Sequence, residues 1–183
     1  MVSEDGAMKV LTWFRGCACE RGDSRNDVLL RGGLGLFFFL AGVGHTLGFS
    51  TTVIGAGILV DDPQLTPWLA GGACLLLLGG GLSLILGLYT RLGALMLIIF
   101  LIPATRLHGL IMEMAANGAS ILSASADDKA QQSIETLRNI AMQGHQANVM
   151  KNIVLILVVF TILGRGAGPL SLDGRLRKKW SAP

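Results

Sequence analysis

The feature that most constrains this chain is a series of long segments that contain no charged residue. Two of them, 32–60 and 63–90, contain 29 and 28 uncharged positions. Each is longer than the about 20 apolar residues that a helix needs to cross a bilayer. Two shorter segments, 92–105 and 152–164, contain 14 and 13 such positions. The sequence therefore predicts four membrane-spanning helices, at about 29–49, 67–90, 92–112 and 148–164.

The last two predicted spans reach full length only if Arg106 and Lys151 lie inside them. Ionisable residues within a span are costly, and each is a functional hypothesis by default. The composition supports a membrane protein, because 51% of residues are hydrophobic, 15% are charged and the mean hydropathy is +0.59. Soluble domains carry about 25% charged residues. The predicted fold class is all-α, an integral membrane four-helix bundle whose first partner is the lipid bilayer.

The distribution of basic residues predicts the orientation of the bundle. Of the 15 lysines and arginines, eleven lie on the side that holds both termini and the turn at Arg91, and the other four lie on the opposite side: Arg106, Lys129, Arg138 and Lys151. Basic residues concentrate on the cytoplasmic side of membrane proteins. We therefore expect a cytoplasmic N-terminal tail at 1–27, a membrane domain at 28–164 and a basic cytoplasmic tail at 165–183.

The segment 115–146 interrupts the membrane domain and differs from it in composition. It is rich in Ala and Ser, and Ser125 followed by Asp128 fits a capping box before a helix. Three apolar residues then recur on one helical face: Ile134, Leu137 and Ile140. This pattern predicts an outer loop that carries a short amphipathic helix, and an unstructured linker is the alternative.

Small residues inside the predicted spans indicate close helix packing. Gly44 and Gly48 are four residues apart in the first span, and Gly79, Ser83 and Gly87 follow the same spacing in the second. Small residues at this spacing let two helix backbones approach closely in a membrane. These positions are therefore predicted to lie at helix–helix contacts.

Several segments of the chain resemble the DoxX family in their order and spacing. Segment 31–48 resembles the opening helix of that family, and 87–94 (GLYTRLGA) resembles its turn between the second and third helices. Lys151 and Asn152, followed after an apolar run by 168–173 (GPLSLD), resemble its last helix and tail. The resemblance implies a small four-helix protein of the prokaryotic plasma membrane. Some relatives are linked to thiosulfate:quinone oxidoreductases, and others to membrane assemblies that handle oxidative or thiol stress.

A layer of polar residues is predicted in the outer half of the bundle. His45, Arg106 and Lys151 each lie 14 or 15 residues from the basic residue at the inner end of their helix, which is a depth of about 21–22 Å. His108 and Asn152 lie near the same level. We expect His45 and Arg106 to face the bundle interior and to form, with the other three, a pocket for a quinone carbonyl or a small anion such as a sulfur oxyanion. In the alternative, Arg106 and Lys151 extend to the headgroups and a neighbouring backbone or hydroxyl group satisfies His45.

Other chemistry is less well supported by the sequence. Haem ligation by His45 and His108 has no second supporting motif. Cys17 and Cys19 form a C-x-C pair without the partners of a zinc site, which leaves redox chemistry or free or acylated thiols open. The basic run 175–179 suits anionic lipid headgroups. The sequence predicts no metal site and no nucleic-acid binding.

Two classes of function follow from these observations. The first is a membrane subunit of a quinone-linked oxidoreductase system, with quinone as its cofactor and a second oxidoreductase subunit as its partner. The second is a non-catalytic membrane scaffold that anchors partner proteins. The sequence assigns no catalytic residue and names no substrate.

Overall fold

The computed structural model describes residues 24–168 and 170–175. This part of the chain contains no strand, and its helices are α1 (Ser24–Leu47), α2 (Phe49–Leu59), α3 (Thr66–Leu86), α4 (Thr90–Ser123) and α5 (Asp128–Arg165). Cys17 and Cys19 lie outside the described residues, as does the basic run beyond residue 175. What was predicted for those residues stays a prediction.

The four predicted spans are confirmed as helices. α1, α3, α4 and α5 are each long and apolar enough to cross a membrane, with mean hydropathies of 1.5, 2.1, 1.9 and 2.0 in their most apolar stretches. α2 is also apolar, but its 11 residues are too few to span a bilayer. Arg106 and Lys151 both lie inside long helices, as the span lengths required. The all-α membrane bundle is therefore confirmed.

The prediction for 115–146 differs from the structure. This segment is not a loop with one short helix, because α4 continues to Ser123 and α5 begins at Asp128. Asp127, and not Ser125, is the N-cap residue, and its Oδ1 accepts a hydrogen bond of 2.8 Å from the Ala130 amide. The Ala-rich composition favours helix once two long helices already pack together. At 1.5 Å per residue, α4 and α5 are about 50 and 57 Å long and extend well beyond a core of about 30 Å.

Glycines bring α1, α3 and α4 into close contact. A Cβ atom at Gly35 of α1 would lie 2.8 Å from the Gly81 carbonyl of α3, and a Cβ atom at Gly80 would lie 2.8 Å from the Leu97 side chain of α4. Gly79 likewise lies against Met96. The predicted packing role is therefore confirmed for Gly79. At Gly44 no atom of the described residues beyond its own stretch of helix lies within 4 Å of the Cβ position, so this glycine makes no close contact with another helix there.

The apolar core lies between the four long helices. It combines buried side chains from α1, α3, α4 and α5: Phe38, Leu77, Leu84, Ala94, Leu97, Ile98, Leu101, Val159 and Ile162. α2 packs on the outer part of α3 and α4, where a Cβ atom at Gly55 would lie 3.4 Å from the Leu107 side chain. α4 and α5 form the most extensive helix pair and are joined by a turn of only four residues, so they run antiparallel. This pair carries most of the polar residues that the sequence singled out.

Candidate functional site

The end of the bundle that is predicted to face the cytoplasm is closed by the turn between α3 and α4. Gly87 ends α3 with φ of 65°, and Tyr89 precedes α4 with φ of 49°. Both values lie in the left-handed region, which glycine adopts without the steric cost of a Cβ atom. The chain therefore reverses within three residues and presents the last carbonyl groups of α3 to their neighbours.

Arg31 of α1 satisfies those carbonyl groups from a buried position. Only 4% of the residue is exposed. Its Nη1 donates to the carbonyl oxygens of Leu84 and Ile85 at 2.6 and 3.4 Å, and its Nη2 donates to that of Leu170 at 3.5 Å. The last turn of a helix has unpaired carbonyls and a partial negative charge, and both favour a cation there. Arg31 therefore joins three parts of the chain and has a structural role.

The segment that follows α5 folds back onto the same turn. The Asp173 amide donates to the Gly87 carbonyl at 3.1 Å, and the Thr90 amide donates to Asp173 Oδ2 at 3.4 Å. Arg165 at the end of α5 forms an ion pair of 3.0 Å with Asp27 of α1. These contacts connect both ends of the described chain at one end of the bundle. They indicate a stabilising cluster and not an open binding site.

His45 lies near the other end of α1 and is exposed. Its Nδ1 is 3.0 Å from the Thr52 hydroxyl of α2, which in turn donates to the His45 carbonyl. The imidazole also meets the ring of Phe100 edge-on, with the centroids 6.1 Å apart. The prediction that His45 faces the bundle interior is wrong, because a nearby hydroxyl group satisfies the imidazole at the surface.

Arg106 is also at the surface, with 63% of its side chain exposed. Its Nη1 lies 3.8 Å from Oε1 of Glu113, two turns further along α4. The prediction that Arg106 faces the interior is therefore wrong, since a cation avoids the cost of desolvation by extending along its helix towards a carboxylate. Among the hydrogen bonds, ion pairs and ring contacts of the described residues, none joins Arg106 to His45.

Arg106 does line an open groove between α4 and α5. The groove has a volume of about 420 Å³. Its walls are almost entirely apolar and come from four residues of α4 and two of α5: Ile102, Thr105, Arg106, Gly109, Val149 and Ile156. Gly109 has no side chain, which leaves the part of the groove beside it open. Pro103 lacks the amide that would bond to the preceding turn, which favours a local departure from regular helix beside the groove.

Two histidines meet on the α4–α5 interface beside this groove. His108 Nδ1 and His145 Nδ1 are 2.9 Å apart, and the ring centroids are 5.2 Å apart with the planes tilted by 40°. His145 was not among the residues that the sequence singled out. Residues 108 and 145 are nearly the same number of residues from the 124–127 turn, before and after it. Because α4 and α5 are antiparallel, two such residues lie at the same level, and the pair could have been predicted from the sequence once the turn was located.

The other two predicted residues, Lys151 and Asn152, are neighbours on α5, but one is at the surface and the other is buried. Lys151 is exposed, and its Nζ donates to Asn148 Oδ1 at 2.7 Å. It lies within electrostatic range of His108. Asn152 is buried, with 4% of the residue exposed, and points into the bundle. The five predicted residues therefore do not converge on one pocket: Arg106 lines the groove, His108 joins His145, and the others lie apart.

Comparison with known proteins identifies one family. The sequence model of the DoxX family matches residues 27–113, which cover α1, α2, α3 and the first two thirds of α4. The resemblance that the sequence motifs indicated is thereby confirmed over these residues. The chain has no significant match among curated proteins or among solved structures.

Proposed function

Because residues 27–113 of this chain form a DoxX-family domain in a multi-pass membrane protein, we propose that it is a membrane subunit of a quinone-linked oxidoreductase system. Its location is the plasma membrane of a prokaryote. The subunit binds the quinone, while a partner subunit oxidises a sulfur compound or a thiol and delivers two electrons. With two protons these electrons convert the quinone to the quinol.

The observation that carries this proposal is the groove between α4 and α5. Ligand sites are typically concave, mostly apolar and about 300–1,000 Å³ in volume, with few polar groups to fix orientation. The groove lies within this range of volume and is mostly apolar, it is open along one side, and Arg106 is the charged residue among those that line it. A quinone ring would lie against Ile102, Val149 and Ile156. Its isoprenoid tail would leave through the open side of the groove into lipid.

Arg106 is the residue that orients the quinone in this proposal. Its guanidinium group carries only hydrogen-bond donors, and a quinone carbonyl is an acceptor. The ion pair with Glu113 is long and mostly exposed, and such pairs contribute at most about 1 kcal/mol. The guanidinium group is therefore free to exchange the carboxylate for a ligand oxygen. A buried ion pair in the same place would oppose that exchange.

The test is to purify the protein in mild detergent from its native membrane and to quantify quinone in the extract by mass spectrometry. We expect about one quinone per chain, and loss of most of it in Arg106→Leu. Arg138→Leu is the matched control, because Arg138 is also a partly exposed arginine paired with a glutamate on the same helix hairpin. Equal quinone content in the two variants would overturn the assignment of the groove.

A non-catalytic scaffold is the second candidate, and the helical hairpin formed by 112–147 favours it. This hairpin extends beyond the membrane core and exposes large apolar side chains on both helices: Met114, Ile121, Leu122, Leu137 and Ile140. Met114 and Ile121 share one face of α4 by their spacing, as Leu137 and Ile140 share one face of α5, and exposed apolar patches outside the membrane are typical of protein–protein contacts. Purified protein that retains partner proteins but no quinone would favour this candidate over the first.

A further inference from the structure

The histidine pair on α4 and α5 lies at a defined level of the molecule. His108 is 18 residues from the start of α4, and His145 is 20 residues from the end of α5. At 1.5 Å per residue these positions are about 27–30 Å from the predicted inner ends. That distance matches the core thickness of about 30 Å. The pair is therefore at the outer boundary of the bilayer core, and both imidazoles are half-buried between the helices.

Two Nδ1 atoms at 2.9 Å share one proton, because one nitrogen must donate and the other must accept. If each ring instead carries its proton on Nε2, both Nδ1 lone pairs point into the same space. Neutral imidazoles with converging lone pairs are the commonest metal ligands in proteins. The geometry thus presents two metal ligands from separate helices, which the sequence alone did not indicate.

We propose that His108 and His145 bind a monovalent copper ion between their Nδ1 atoms. Two methionines follow on the side of the pair that is nearer the 124–127 turn. Met112 is one turn beyond His108 on α4, Met142 is one turn before His145 on α5, and both are half-buried. Since the helices are antiparallel, these two positions share the next layer of the interface. The ion takes its third ligand from one of these thioethers.

The spacing requires only a small adjustment. With metal–nitrogen bonds of about 2.0–2.1 Å, as for zinc, two ligands about 120° apart around a three-coordinate ion lie about 3.5 Å from each other. The observed separation is 2.9 Å, so the rings part by about 0.6 Å on binding. Rotation of the imidazoles supplies this without movement of either helix.

Charge and ligand type both select a monovalent soft ion. Lys151 is close enough to act electrostatically on His108, and it disfavours a divalent cation more than a monovalent one. Glu113, the nearest acidic residue of α4, is paired with Arg106. In the part of the chain that the structure describes, no three His, Cys, Asp or Glu residues form a metal cluster. Imidazole with thioether is a ligand set that favours Cu(I).

The test uses the full chain in detergent with Cys17→Ser and Cys19→Ser, since these thiols would themselves bind copper. Cu(I) is added under reducing conditions in competition with a colorimetric chelator, and Ag(I) serves as a redox-inert second probe. We expect one ion per chain, and at least tenfold weaker binding in His108→Ala and in His145→Ala. His45→Ala is the matched control and should bind like the parent. Met112→Leu with Met142→Leu should weaken Cu(I) and Ag(I) binding without changing that of Zn²⁺.

Lys151→Gln should have the opposite effect on Cu(I) affinity. Because it removes the positive charge of the lysine near His108, we expect Cu(I) to bind severalfold more tightly. Retention of full Cu(I) affinity in the His108→Ala, His145→Ala double variant would overturn the proposal. A preference for Zn²⁺ over Cu(I) in the parent would overturn the assignment of the ion. Thermal unfolding of each variant separates loss of the site from loss of the fold. Because quinone content is measured independently, failure here leaves the proposed function of the groove untouched.

Discussion

Replacement of Gly81 by alanine tests whether close backbone contact between α1 and α3 holds the bundle together. A Cβ atom at Gly81 would lie 2.6 Å from the Phe39 amide nitrogen and 2.8 Å from the Gly35 carbonyl oxygen. Ordinary contact begins at 3.4 Å. The methyl group therefore overlaps three backbone atoms of the neighbouring helix, since Phe39 Cα would also lie 2.9 Å away, and none of them can move aside by a side-chain rotation.

The size of the effect follows from that overlap. To restore contact distance, α1 must move away from α3 by about 0.8 Å, which loosens the packing along the whole interface. Overpacking costs about 1–3 kcal/mol, and a clash with backbone atoms belongs in the upper part of that range. Alanine returns about 1 kcal/mol of helix stability, so we expect Gly81→Ala to lower the unfolding free energy by about 1–2 kcal/mol. For a chain of this size the melting temperature should fall by about 2–8 °C.

Cys74 provides the assay, because it is a free thiol with 7% of the residue exposed. In the Cys17→Ser, Cys19→Ser background, a thiol-reactive fluorescent dye should label Cys74 only when the bundle unfolds. The temperature at which labelling occurs then reports stability in detergent. Gly72→Ala is the control on the same helix, since among the described residues no atom beyond its own stretch of helix lies within 4 Å of its Cβ position. Alanine favours helix over glycine by about 1 kcal/mol, so this control should unfold no earlier than the parent. Equal melting temperatures for the two variants would refute the role assigned to the Gly35–Gly81 contact.

Two further predictions concern the inner end and the topology. Arg31→Met removes a charged donor from the last carbonyl groups of α3 and should lower the unfolding free energy by about 1.5–3 kcal/mol. The same dye measures this change. Arg25→Met is the control at an exposed position of the same helix and should have little effect. Single cysteines at Asp62 and Ser120 in a cysteine-free background should react with an impermeant maleimide from outside intact cells. A cysteine at Arg25 should react only after lysis. Labelling of Asp62→Cys from the cytoplasm alone would reverse the predicted orientation.

The spans could be predicted from the sequence because the lipid bilayer imposes a length and a polarity on each of them. Uncharged stretches of 29 and 28 positions leave little choice of structure. Arg106 and Lys151 were correctly assigned to helices by length alone. The direction in which these two side chains point could not be predicted in the same way, since it depends on local partners such as Glu113 and Asn148. A surface partner was sufficient for each cation to remain outside the bundle.

The ends of α4 and α5 were harder to predict for a different reason. Segment 115–146 lacks the apolar periodicity that identifies spans, although its alanines favour helix. Ser125 and Asp127 compete as N-cap residues two positions apart, and only the packed hairpin decides between them. The interior role of Arg31 requires the register of α1 against α3, and the His108–His145 pair requires the position of the turn. Both are properties of two helices together and not of either sequence segment alone.

The extent of the family match bears on how function should be assigned. The match ends at residue 113, within α4, so it includes Arg106 and His108 but no residue of α5. The groove needs Val149 and Ile156, and the histidine pair needs His145. The groove therefore combines four residues of the matched region with two of α5, and the histidine pair combines one residue of each. Since both sites depend on how α5 packs against α4, the match to the family over residues 27–113 does not by itself transfer either of them. Variants on the α5 side, with α4 left unchanged, are the direct way to test what this chain adds to the shared domain.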